Sequence, residues 1–171
     1  MTGLAAAGWP VAAANMDGTA MTRVRSTNPA ITALIAQATL QSQTFRELVE
    51  TINNSDGIVY VEEGGCGFGV RACLTSVTTA GANRMLWVLV DRSQVDWDLM
   101  ASIGHELRHT VEVLNEPAVT SRAAMYMLYS RIGRRGMGRA FETQLAIEAG
   151  AAVRDEVLKS QHADGCRDGE C

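Results

Sequence analysis

The chain has 171 residues, enough for one domain with a substantial core and short for two. Apolar residues make up 47% and charged residues 20%, which is the composition of a globular domain rather than a disordered segment. The net charge of -4 argues against a nucleic-acid binder, and no apolar run approaches the roughly 20 residues that cross a bilayer as a helix.

Residues 1–27 read as an irregular lead or a truncated export segment. Within them, 3–14 are small and apolar, and Ala12-Ala13-Ala14 could serve as a cleavage site, though Gly8 and Pro10 interrupt the run and a basic start is missing. Asn28-Pro29 supplies an N-cap and a first-turn proline, and Ile31, Leu34, Ile35 and Ala38 follow at helical spacing. Thr44 and Glu47 fit a capping box opening a second helix through Ile52, which the turn cluster Asn53–Gly57 ends.

The period then changes. Ile58–Val61 is a short β-type run, and Glu63–Gly69 is a glycine-rich loop. Val70–Thr79 and Met85–Val90 are two further apolar runs, joined by a short turn at Ala80–Asn83 that predicts an antiparallel hairpin. Helical spacing returns from Asp96 and stops before Pro117. Ser121 caps a further helix to Ile132. Gly133–Gly138 is a basic loop, Ala140–Lys159 a final helix, and 160–171 a polar tail. Residues 28–159 thus form a single α+β domain, with helices, a small three-stranded, mainly antiparallel sheet, then helices again.

Four cysteines fall in two local pairs, Cys66/Cys73 and Cys166/Cys171. Even counts at short spacing lean toward disulfides and an oxidising compartment, secreted or periplasmic rather than cytoplasmic; free thiols are the competing reading.

The chemistry concentrates in His105-Glu106-Leu107-Arg108-His109, which holds two of the three histidines. Residues four apart lie on one helix face, so both imidazoles can reach one metal ion. Imidazole suits Zn²⁺, and two such ligands leave room for a third ligand and a water. Glu106 can then act as general base on that water and as general acid toward the leaving group. This is the mechanism behind His-Glu-x-x-His on a helix. Gly104 lets a neighbouring backbone come close, and Arg108 can turn outward to pair with Glu112.

With these residues the chain resembles the zincin metallopeptidases, specifically over 103–110 and more loosely over 57–159. The resemblance implies a zincin-like fold, a peptide or protein substrate, and a substrate strand paired to a sheet edge, here near residues 84–90. The metzincin pattern would need Gly at 112 and His at 115, where this chain has Glu112 and Asn115. The gluzincin branch draws a glutamate from a later helix, which implies Glu142 as the third ligand, at the opening of the final helix. Small Ala146, Ala149 and Gly150 would let that helix cross the motif helix. An aspartate that supports the first histidine in some gluzincins falls at Ala146 here, so support must come from elsewhere. Glu112, Glu116 and the distant His162 are the other ligand candidates. Tyr126 and Tyr129 are candidates for stabilising the oxyanion, against the alternative of packing residues. Arg134, Arg135 and Arg139 form either a lid that binds a substrate carboxylate or a solvated connector.

Two further readings stand beside this one. Peptide deformylases share the order of a Gly-Cys segment, strands and a His-Glu-x-x-His helix, which would make Cys66 or Cys73 the third ligand; their Glu-Gly-Cys-Leu-Ser run is not intact here. The domain could also bind zinc without catalysis, as a scaffold or binding module.

Overall fold

The computed structural model describes residues 22–67, 69–135 and 141–167. The export segment, Arg139 and the Cys166–Cys171 pairing lie outside the described residues and side chains. The elements are β1 (Val24–Arg25), α1 (Pro29–Gln41), α2 (Gln43–Asn53), β2 (Gly57–Glu63), β3 (Ala72–Ala80) and β4 (Asn83–Val90). They continue with α3 (Asp96–Leu114), α4 (Arg122–Ile132), β5 (Arg134–Arg135), β6 (Phe141–Glu142) and α5 (Gln144–Arg167). No described helix is long and apolar enough to cross a membrane.

The fold is α+β, as expected, but the sheet is four-stranded and mixed rather than three-stranded and mainly antiparallel. Its order is β1-β2-β4-β3. The hairpin β3–β4 is antiparallel and turns through Gly81, which takes a φ of 59° that favours glycine. β2 skips over β3 in sequence and pairs with β4 in parallel, and β1 adds to β2 in parallel from within the expected irregular lead. This places β4 inside the sheet, so residues 84–90 are not an edge. The edges are β1 and β3.

Burial alternates along β2 and β4. Val59, Val61, Leu86, Val88 and Val90 turn to the helices, while Tyr60 and Trp87 stack on the other face. One helical layer covers the buried face, with Ile31, Phe45, Ile52, Leu99, Ile103 and Leu107 fully enclosed. In α1 the expected cap forms, with the Asn28 side chain accepting from Ala30 N–H. α2 is capped by Ser42 rather than by Thr44, because Thr44 is engaged elsewhere. Its N–H and hydroxyl, with the Ser42 hydroxyl, donate to the Glu156 carboxylate of α5 at 2.5–2.9 Å. An anion at a helix N-terminus is favourable, and here it pins α5 to α2.

Two contacts fix the motif helix α3. At its C-terminal end the buried Arg84 of β4 donates to the carbonyls of Val113, Leu114 and Glu116 at 2.7–3.0 Å and pairs with Asp56. The Val113 and Glu116 carbonyls also accept from the backbone N–H groups of Glu116 and Val119, and a cation at this end answers the helix dipole. Along its length α3 packs on α5. A Cβ on Gly104 would sit 2.8 Å from Val153 Cγ2, and one on Gly150 would sit 3.1 Å from His105 Cβ. Both glycines therefore permit the close approach anticipated for them.

Candidate metal centre

α3 is helical throughout the motif, so His105 and His109 share a face. The third member comes from the other side of the cleft. Glu142 lies in β6, which pairs with β5, two residues before α5 begins; the expectation that it opens the final helix is corrected. The actual N-terminal cap is Thr143, whose hydroxyl oxygen accepts from Ala146 N–H. The final helix also runs on to Arg167, through much of the expected polar tail.

Glu142 Oε2 lies 2.9 Å from His105 Nε2 and 3.9 Å from His109 Nε2. One donor atom from each of these three residues falls within 4.8 Å of the others, and the group could hold a metal ion. A specific observation favours that use. Glu142 Oε2 is buried and accepts no hydrogen bond, because its close approach to His105 is misaligned. A buried carboxylate oxygen without a donor is costly, and a cation between the three donors would satisfy it.

His109 is 4% exposed, and its outer nitrogen is occupied. Nδ1 lies 3.0 Å from Glu112 Oε2, while Glu112 Oε1 accepts from the Thr143 hydroxyl at 2.6 Å. With the Nδ1 proton given to Glu112, the Nε2 lone pair faces Glu142. Glu112 therefore lies outside the three-donor group and fixes the His109 ring, and through Thr143 it ties the motif helix to the segment that carries Glu142. The sequence signal was its spacing, three residues beyond His109 on the same helical face. The expected Arg108–Glu112 pair reaches only 3.8 Å, and Arg108 Nε finds no acceptor, since Glu112 is taken by His109 and Thr143. Substituting Glu112→Gln should lower divalent-metal affinity about 10- to 100-fold without abolishing binding, as loss of such orienting partners does. Competition titration against a chelator measures this, and an affinity equal to wild type would show that Glu112 does not orient His109.

Glu106 is 5% exposed and faces the same space. Its Oε2 accepts from Leu74 N–H of the edge strand β3 at 2.7 Å, beside a bulge in that strand, and its Oε1 lies 3.9 Å from His105 Nε2. Burial pushes its carboxyl up, opposed by the charges of His109 and His105 and by the Leu74 bond. A cleft of about 480 Å³ opens in front of His105, Glu106 and Glu142.

The remaining candidates separate clearly. Tyr129 is buried, lies edge-on to His109 and donates its hydroxyl to the His109 carbonyl at 2.8 Å. Burial pushes its phenol well above the ordinary range, and its bond holds the helix rather than reaching the cleft. Tyr126 is exposed and packs edge-on against Phe141, next to Glu142. Glu116 is half-buried and pairs with Arg131; His162 is exposed on the distal half of α5; Arg134 is exposed in β5. Cys66 and Cys73 form a disulfide, so neither supplies a free thiolate, and the deformylase-type cysteine ligand is corrected.

Comparison with protein-family models, curated proteins and solved structures finds no match.

The cluster has a pH signature of its own. Burial alone would lower the His109 imidazole, but the Glu112 carboxylate bonded to Nδ1 and the nearby Glu142 carboxylate hold it up to about 9, above the ordinary 6.5. The imidazoles of His105 and His109 beside it hold the Glu142 carboxyl down to about 2, below the ordinary 4.5. The stability due to His109 is full below about 6.5 and is lost as pH rises through about 9; that due to Glu142 is full above 4.5 and is lost as pH falls through about 2. Chelator-treated protein should therefore melt highest between about 4.5 and 6.5. Metal ligation requires neutral imidazole, so metal uptake near neutral pH should release a proton. Thermal melts across the pH range test the window, and a melting temperature still rising toward pH 9 would contradict it.

Proposed function

We propose that the chain is a zinc-dependent metallopeptidase of zincin type, in which His105, His109 and Glu142 hold the ion and Glu106 is the general base and acid. The observation that carries the reading is the buried, donor-less Glu142 Oε2 facing two imidazoles across a cleft that Glu106 also lines. Two imidazole nitrogens and one carboxylate oxygen match a catalytic zinc donor set, with a position left open.

When bound, zinc supplies a water whose pKa falls to about 7 and a Lewis acid for the substrate carbonyl. The protein's own part is the handling of protons and position. Leu74 N–H holds one oxygen of Glu106, which leaves Oε1 to take the proton of the attacking water and pass it to the leaving nitrogen. The substrate lies extended along the free edge of β3, the edge that faces Glu106, instead of along residues 84–90. Tyr126, against Phe141, is better placed than Tyr129 to reach an oxyanion, because the Tyr129 hydroxyl is already committed.

A non-catalytic zinc scaffold would more often be closed by four protein ligands, whereas three converge here beside an open cleft. The deciding experiment loads chelator-stripped protein with zinc and exposes it to a peptide library. Zinc binding at one equivalent with cleavage that stops on chelation is expected. Stoichiometric zinc without cleavage of any peptide would overturn the enzyme reading in favour of the scaffold.

A further inference from the structure

The cleft that begins at Glu106 and Glu142 has a second, basic end. Asp98 lies on α3 seven residues before His105, two helical turns or about 10 Å along the axis. Its carboxylate is buried, and two guanidinium groups converge on it: Arg71, just before β3, on one oxygen, and Arg154 of α5 on the other. Arg154 also lies over the Trp97 ring, 5.6 Å from its centroid.

The arrangement leaves positive charge over. Two cations share one anion, and both arginines stay open to the cleft, with side chains 61% and 48% exposed. Asp91 also feels the charge of Arg71, but it takes the Ser93 N–H and has Arg92 beside it in the adjoining cleft. Each guanidinium carries five N–H donors in a rigid fork. Among the described residues, Asp98 is the acceptor for the side chains of both. Asp98 thus holds one nitrogen of each fork, and both arginines line the cleft with donors to spare. Between them and His105 the wall is small or apolar, with Ala101, Ile147 and Ala151.

We propose that Arg71 and Arg154 form a carboxylate-binding subsite, which selects peptide substrates carrying a carboxylate about three residues from the scissile bond. The spacing follows from the 10 Å offset and the roughly 3.3 Å rise of an extended chain. The carboxylate is an acidic side chain or the peptide's C-terminus; the chemistry of recognition is shared. This inference rests on the peptidase reading for its substrate, but not for the existence of the anion site.

The test uses matched peptides, with Glu or Gln two to four residues from the cleaved bond on either side and with a free or amidated C-terminus. Cleavage by zinc-loaded wild type is compared with the Arg71→Gln/Arg154→Gln double variant, and binding is measured separately on the Glu106→Gln protein. Wild type should prefer one carboxylate peptide over its neutral partner about tenfold or more, mainly through KM, and the double variant should lose that preference. A Glu-over-Gln preference identifies an acidic side chain, and a free-over-amidated preference identifies the C-terminus. If the double variant does not fold, Arg71→Gln alone leaves Arg154 on Asp98 and should give a partial loss. Cleavage with equal rates for acidic and neutral peptides overturns the subsite and leaves the peptidase reading intact. Arginine-dependent binding of carboxylate peptides without cleavage of any peptide does the reverse.

Discussion

Glu106→Gln is expected, on the proposed metallopeptidase reading, to leave zinc bound and lower peptide hydrolysis about 1,000-fold or more, the upper range for removal of a general acid–base group. Glutamine has the same shape, and its carbonyl oxygen can still accept the Leu74 N–H that holds Glu106 Oε2. What it cannot do is take a proton. Glu106 touches the cluster only at 3.9 Å, so zinc stoichiometry should not change. Folding should not suffer either, since burial already disfavours the charged form of Glu106. The melting temperature of the metal-free variant should equal or exceed that of wild type. Three readouts thus separate a catalytic role from a structural one: turnover falls, zinc content stays, and stability stays. Turnover within tenfold of wild type, with zinc in place, would remove Glu106 as the base.

The parts of the fold set by local pattern were legible in the sequence. The Asn28 cap, the Gly81 turn and the face shared by His105 and His109 each follow from a few neighbouring residues. The parts set by distant partners were not. β1 is two residues long and has no period of its own; it exists because β2 offers it an edge. The parallel pairing of β2 with β4 is invisible in a chain where β3 intervenes. Thr44 and Glu47 fit a capping box, yet Glu156, more than a hundred residues away, takes Thr44 and leaves the cap to Ser42. At the site, Glu142 was reached only through the family resemblance, and its surroundings were misjudged. The residues before α5 form a short β pair that presents the carboxylate to the histidines, and Thr143, not Glu142, caps the helix. Glu112 and Arg84 are charged residues on helix and strand positions that usually meet solvent. Only tertiary packing reveals that one orients His109 and the other closes the end of α3.

Glu142→Ala should lower zinc affinity more than any change outside the two histidines, by at least about 100-fold, beyond the range of an orienting partner such as Glu112. The carboxylate is the only anionic member of the donor set, and its loss leaves two neutral imidazoles and an enlarged opening to solvent. The same substitution has a second effect that needs no metal. Glu142 helps to hold the His109 imidazole up, and His105 and His109 hold the Glu142 carboxyl down to about 2. Without Glu142 the acid-side loss of stability below pH 4.5 should weaken. The alkaline loss should shift to lower pH, because only Glu112 and the charge of Glu106 then support the charged His109. Glu112→Gln should move the alkaline limb in the same direction and also weaken the acid limb, since the Glu112 carboxyl is itself held down by its bonds to His109 and Thr143. Zinc titration on the two variants therefore separates a ligand from an orienting residue, while the metal-free melts report the charged contacts that each carboxylate makes. Wild-type zinc affinity in Glu142→Ala would exclude the carboxylate as a ligand even if the pH limbs moved as expected.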